Sequence, residues 1–239
     1  MQSPYGLQII EDCITCPLRE DRIFCDLPPA GMQKLSAITS SATYPKGAFL
    51  FVEGQPPRGV FIICSGRVKL SAASSEGKTM ILRIAEAGEI VGLPGVISGE
   101  SYEVTAEILE PGQANFIPRE SFLHFLKEHG DAALRVAQLL TNIYRTAYQE
   151  VRSLGLSRSS AEKLAKFLLD WAGNHHGAQQ DENRLTLTLT HEEIAQMIGA
   201  SRETVTRLFS DFRKKKLVQV KGSSIIISNR PALEILGGA

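Results

Sequence analysis

A run of 24 residues, Asp131 to Leu154, contains neither glycine nor proline, and it follows a stretch in which glycine is dense. Ten of the chain's 20 glycines lie between Gly47 and Gly112. No single type of secondary structure satisfies both segments. Glycine supplies the positive φ of tight turns and weakens helices, whereas a long stretch without either breaker propagates a helix. The glycines separate short apolar runs, Ala48 to Val52, Val60 to Ile63, Val68 to Leu70 and Met80 to Ile84. Strands at intervals of roughly 8 to 12 residues with turn signals between them predict an antiparallel barrel or sandwich, with a helical fringe at each end.

The glycine-free run predicts one long helix that Asp131 can cap. Its apolar and small positions Ala133, Val136, Leu140, Ile143, Ala147, Val151 and Leu154 recur every three or four residues. At 1.5 Å per residue, 24 residues span about 36 Å, more than a small barrel needs for its own covering helix. A parallel dimer seam is therefore expected, although a helix packed wholly on its own barrel has the same periodicity. Gly155, Leu156 and Ser157 break the helix and are expected to form a hinge. Ser159 with Glu162 makes a capping box for a further helix to about Trp171, with Leu164, Phe167, Leu168 and Trp171 on one face. The polar loop Gly173 to Asn183 follows.

From Leu185 to Ser228 the spacing becomes specific. Thr190 and Glu193 form another capping box, Gly199 stops the short helix they open, and Ser201 caps the next. Small Ala195 lets two helices cross closely, and Ile194, Ile198, Val205, Leu208 and Phe212 are the expected buried contact. That leaves Arg202, Glu203, Thr206 and Arg207 on the exposed, N-terminal part of the second helix. Guanidinium forks donate twice to guanine, a carboxylate accepts from cytosine N4, and a threonine methyl meets thymine. Downstream, Leu217 to Lys221 and Ser224 to Ser228 flank Lys221-Gly222-Ser223 and predict a hairpin wing. The expected site is Arg202, Glu203, Thr206 and Arg207 with Ser201 and Lys221. An ordinary salt-bridged surface, with Glu203 and Arg207 as an i, i+4 pair, is the alternative.

Charge agrees with that division. The chain is formally neutral, yet Met1 to Leu156 carries a net −3 and Ser157 to Ala239 a net +3. Arg202 to Lys216 alone holds six basic residues against two acidic ones, a pattern suited to phosphate backbones. No stretch approaches the roughly 18 apolar residues of a membrane span, and Met1 to Ile10 has no basic region followed by an apolar block. A cytoplasmic protein with no membrane partner is expected. No nucleophile elbow, phosphate-gripping glycine loop or metalloprotease helix is present, so no catalysis is expected.

Thr190-His191-Glu192-Glu193-Ile194-Ala195, followed by Gly199-Ala200-Ser201-Arg202-Glu203-Thr204-Val205-Thr206-Arg207, resembles the CRP/FNR family of bacterial transcription regulators. The order of barrel, long helix, hinge and winged motif extends the resemblance over nearly the whole chain. It implies an α+β fold with an N-terminal antiparallel β-roll of cyclic-nucleotide-binding type, a long dimerisation helix and a C-terminal winged helix-turn-helix. The expected domains are residues 1–130, 131–156 and 157–239. Ser201 to Arg207 is similar to the recognition helix of the cyclic-AMP-binding members, with Thr206 in place of a glycine. The resemblance implies that Arg202, Glu203 and Arg207 read a TGA-containing half-site. It further implies a homodimer on inverted repeats of double-stranded DNA, with RNA polymerase as a further partner.

In the cyclic-AMP-binding members, a glutamate after a segment like Gly88-Glu89-Ile90-Val91-Gly92 holds the ribose and an Arg-Ser pair holds the phosphate. Those places fall on Leu93 and on Tyr102-Glu103 here, and a carboxylate would repel the phosphate, so cyclic AMP is not expected as the signal. Cys13, Cys16 and Cys25 offer a rival sensor, a crowding of thiols able to gather about one metal. The resemblance implies an iron-sulfur cluster in the oxygen-sensing branch, with a fourth cysteine before a segment like Phe116-Ile117-Pro118; that place is Asn115. Three pictures stay open for these cysteines: a cluster, zinc or a thiol redox switch, and no metal. The effector is unknown. The competing class of function is a ligand-binding regulatory module acting on protein partners, with the basic helix only a solvated surface.

Overall fold

A computed structural model describes residues 9, 13, 14, 16, 19, 24–155, 159–174, 184–186, 189–221 and 224–238. The chain divides into two compact units, residues 1–148 and 149–239. The division falls inside the long helix.

In the first unit, helix α1 (Pro29–Ala37) starts with proline, whose fixed φ suits a first helical turn. Eight strands follow: β1 (Ser40–Tyr44), β2 (Phe49–Phe51), β3 (Gly59–Ile63), β4 (Arg67–Ala73), β5 (Thr79–Ala85), β6 (Ile90–Val91), β7 (Thr105–Glu110) and β8 (Gly112–Pro118). They form two antiparallel four-stranded sheets, β1-β8-β3-β6 and β2-β7-β4-β5. This is the expected antiparallel architecture, and the glycines sit where it turns: Gly47, Gly54, Gly66, Gly77 and Gly88 all have positive φ. Two others stand where backbones nearly touch. A Cβ on Gly59 would overlap the Ile117 carbonyl, and one on Gly112 the Ser65 carbonyl. One core draws on both sheets through Val60, Ile62, Val68, Leu70, Ile108 and Ile117, and α1 adds Met32 and Leu35.

Between the sheets' elements lie α2 (Leu93–Ser98), after β6, and α3 (Arg119–Glu128), after β8, whose Phe122 and Phe125 join the same core. Helix α4 (Gly130–Gly155) is the long helix expected from the glycine-free run. Its sequence seam is divided in use. Val136 is buried in the barrel core beside Ala132, with Leu139 and Leu140 partly buried against it. Among the described residues of the helix, the large apolar side chains left outside are Leu134 at 61% exposure, Tyr144 at 67% and Tyr148 at 56%. At about 100° per residue these lie roughly a quarter turn from the seam read in the sequence.

In the second unit, α5 (Ser160–Asn174) begins at the expected cap: the Glu162 N–H donates to Ser159 Oγ, which donates to the Glu162 carboxylate. Then come β9 (Arg184–Thr186), α6 (His191–Ile198), α7 (Arg202–Lys214), β10 (Val218–Lys221), β11 (Ser224–Ile227) and α8 (Arg230–Gly237). The hairpin wing is present as β10 and β11, and β9 pairs with β11 to make a third, unanticipated strand. Helix α8 was also unanticipated; Asn229 caps it and Leu233 buries it. Leu164, Leu168, Trp171, Ile194, Val205, Phe212, Ile225 and Leu233 are buried in this unit. The hinge expected at Gly155 to Ser157 lies, beyond Gly155, outside the described residues.

Candidate nucleic-acid interface

Helix α6 is built as its sequence demands. The Glu193 N–H donates to Thr190 Oγ1 at 3.2 Å while the Glu193 carboxylate accepts from the Thr190 N–H at 2.8 Å, which closes the capping box. Gly199 ends the helix at φ 65°, ψ 40°, a left-handed conformation that a side chain would strain. Ser201 then caps α7, its Oγ accepting from the Thr204 N–H at 3.2 Å. Turn and caps together set the second helix against the first.

Burial orients α7. Val205, Phe209 and Phe212 are buried, so Arg202, Glu203, Thr206 and Arg207 stand exposed. The sequence reading put Leu208 inward; Phe209 takes that place and Leu208 is half-buried, a one-residue error within the width of the apolar stripe. Arg202, Glu203, Thr206, Arg207, Ser210, Asp211 and Lys214 line one shallow concave surface. Four of the six expected site residues therefore meet there, and Ser201 sits at its N-terminal edge as the cap. Lys221 is elsewhere, at the end of β10 opposite Ser224, and the turn at 222–223 lies outside the described residues.

Glu203 turns to the start of its own helix. Its carboxyl is held below the ordinary carboxylate value by its own backbone N–H, by the Ser201 hydroxyl and by the charge of Arg202. It is an ionised acceptor across the neutral range, with the Arg202 guanidinium acting on it. Thr206 Oγ1 donates to the Arg202 carbonyl at 2.9 Å and lies 3.0 Å from His191 Nδ1. The His191 ring stacks on Phe209 with centroids 5.1 Å apart. Sequence reading assigned His191 no part in the site, because a ring at the start of α6 has no sequence signal for a contact fifteen residues away.

Cys13 and Cys25 are half-buried against the barrel core, and Cys16 is half-buried as well. Among the described residues, no three His, Cys, Asp or Glu side chains converge on a metal position. Asn115 is buried and its Nδ2 donates to Cys13 Sγ at 3.3 Å, while its Oδ1 accepts from Gln113 Nε2 at 3.1 Å. A carboxamide donor against the sulfur does not fit a cluster held by four thiolates.

Leu93, Tyr102 and Glu103, the positions at which the sequence gives no reason to expect a cyclic-AMP contact, have other surroundings. Leu93 is buried, and Glu103 is exposed. Tyr102 is buried, its ring stacked on Phe51 at 4.0 Å, and its hydroxyl donates to the Gly59 carbonyl at 2.5 Å and accepts from the Gly59 N–H at 3.1 Å. Gly59 pairs with Pro118 in register, but the alternation of the antiparallel ladder, in which the Arg119 N–H donates to the Arg58 carbonyl, turns the N–H and C=O of Gly59 to the β6 side; β6 ends at Val91, and Tyr102 supplies the partners that the sheet lacks there.

Comparison with known proteins agrees with both halves of this architecture. Residues 42–129 match the cyclic nucleotide-binding domain and residues 162–236 the Crp-like helix-turn-helix domain. The chain is 30% identical over 199 residues to the transcriptional activator protein Anr of Pseudomonas protegens, covering 81% of this chain and 78% of that protein. It is 26% identical over 211 residues to a CRP-like cAMP-activated global transcriptional regulator of Mycobacterium tuberculosis, covering 88% and 94%. The solved structure of FixK2 from Bradyrhizobium japonicum is similar in fold, with a TM-score of 0.74 at 23% identity, over 84% of this chain and 98% of that one. With the exposed face of α7, its caps and its wing already in view, these matches establish that the chain belongs to the CRP/FNR family of transcription regulators, a non-enzymatic family, and carries its helix-turn-helix DNA-binding domain.

Proposed function

We propose that the protein binds inverted-repeat, TGA-containing DNA as a homodimer, with Arg202, Glu203, Thr206 and Arg207 of each α7 reading base edges. Ser201 and Lys221 meet the backbone. The observation that carries this reading is the division of α7 into a buried face and an exposed face holding two guanidiniums, an ionised carboxylate and a threonine. Arginine forks match guanine O6 and N7, and the carboxylate matches cytosine N4, the two partners of the G·C pair in TGA. Two such helices related by a dimer axis address half-sites about 34 to 36 Å apart. The exposed Leu134, Tyr144 and Tyr148 of α4 give that dimer its apolar surface.

The N-terminal β-roll receives a signal and α4 transmits it by favouring one of two arrangements, since a ligand shifts an equilibrium only by its differential affinity. The Mycobacterium relative is named for activation by cAMP. Here the buried Tyr102 and the exposed carboxylate of Glu103 oppose a cyclic phosphate, so the signal is not cyclic AMP. RNA polymerase is the further partner. Fluorescence anisotropy with labelled duplexes tests the DNA reading: an inverted TGA repeat should outcompete a scrambled duplex by a hundredfold or more. Arg207→Ala should narrow that ratio, at about 1 to 3 kcal/mol per lost bidentate contact, rather than weaken all DNA equally. Equal competition by scrambled duplex would sink the proposal.

A further inference from the structure

Thr206 has one hydroxyl proton, and it goes to the Arg202 carbonyl. The contact with His191 Nδ1 at 3.0 Å must then run the other way, with Nδ1–H donating and Thr206 Oγ1 accepting. The ring that donates is held in place by its stack on Phe209, which is itself buried. The Thr206 hydroxyl is thus tied on both sides within the protein.

That restraint decides what the side chain shows to a groove. A threonine in a helix chooses between two rotamers because its hydroxyl can bond back to a carbonyl one turn earlier, and the third is blocked by the preceding turn. With Oγ1 fixed on the Arg202 carbonyl and on His191, the γ-methyl takes the other allowed direction. Thr206 is exposed beside Arg202, Glu203 and Arg207, so the methyl is its outward group.

Building on the proposed reading of DNA by α7, we infer that His191 is a positioning residue of the recognition surface. It holds Thr206 so that the γ-methyl, not the hydroxyl, addresses a base, and the group so selected is the 5-methyl of thymine. Apolar contact with that methyl is the feature by which a side chain separates thymine from cytosine in the major groove without a hydrogen bond.

The test replaces each thymine of the half-site in turn by deoxyuridine, which removes only the 5-methyl, and measures anisotropy with wild-type protein, Thr206→Ser, Thr206→Val, His191→Ala and His191→Asn. Wild type should lose about three- to fivefold in affinity at one thymine per half-site, the worth of one buried methyl. Thr206→Val keeps the methyl and should keep that penalty. Thr206→Ser keeps the hydroxyl alone and should bind thymine and deoxyuridine duplexes equally. His191→Ala should shrink the penalty, and His191→Asn, whose amide can donate as Nδ1 does, should restore it. A wild-type ratio in Thr206→Ser, or no penalty at any thymine for a protein that still prefers the inverted repeat, overturns the inference alone. Loss of preference between inverted repeat and scrambled duplex in the wild type overturns the DNA reading itself.

Discussion

Tyr102 shows how a single buried residue can take a structural post at the end of a strand pairing. Its hydroxyl answers both backbone groups of Gly59 on the side where β6 has already ended at Val91. Tyr102→Phe should cost about 1 to 3 kcal/mol in chemical denaturation, the penalty for leaving buried polar groups without partners. Burial also raises the phenol above its ordinary value of 10.0. A raised value means the neutral form is the one the fold favours. Its contribution is complete below pH 10 and declines as pH rises through the folded value, so a stability profile should fall at alkaline pH, less steeply in Tyr102→Phe. At the other end of the chain, Lys216 has φ 56°, the sole described non-glycine residue with positive φ. It follows α7, where the Leu217 N–H returns to the Phe212 carbonyl at 2.9 Å, a helix end that glycine fills without strain. Lys216→Gly should therefore raise the unfolding free energy by about 1 kcal/mol.

Helices and strands declared themselves in the sequence to the extent that their signals were local. The capping residues Ser159, Thr190 and Ser201, the stop at Gly199 and the uninterrupted run of α4 depend on neighbours a few residues away, and each stands where the spacing puts it. Strand β9 and helix α8 were missed for the opposite reason. Three residues, Arg184 to Thr186, become a strand only because β11 offers them an edge, and α8 owes its place to Leu233 and to Gly237 lying close on Lys166 of α5. Periodicity found the apolar residues of α4 without saying which neighbour covers them: Val136 belongs to the barrel, while Tyr144 and Tyr148, which lie off the expected seam, are exposed. Their rings stack at 6.2 Å. Replacing both by serine should convert the proposed dimer to monomer in sedimentation velocity while leaving the helical circular dichroism signal unchanged, since neither side chain is in the barrel core. A dimer undisturbed by that pair would move the interface away from this face.

For the molecule as a whole, charge is arranged by unit rather than by total. A formally neutral chain carries its positive excess in residues 157–239, so attraction to DNA should come from that unit and fade with added salt. The slope of log affinity against log salt should be close to −0.9 for each phosphate neutralised, and each removed lysine or arginine at the backbone should lower it by about one. The recognition helix was visible early because its chemistry sits within seven residues, whereas the roles of Asn115, Tyr102 and His191 depend on partners 102, 43 and 15 residues distant and emerge only in three dimensions. The near-touching backbones at Gly59 and Gly112 have a bearing on how the family's evolution is read. Every single-base escape from those codons installs an atom where a carbonyl already is, so both sites should stay frozen across descendants that have lost or exchanged their effectors. An invariant column there records a steric veto on the barrel's own walls, and ancestry reconstructed from it would trace a scaffold rather than a stimulus.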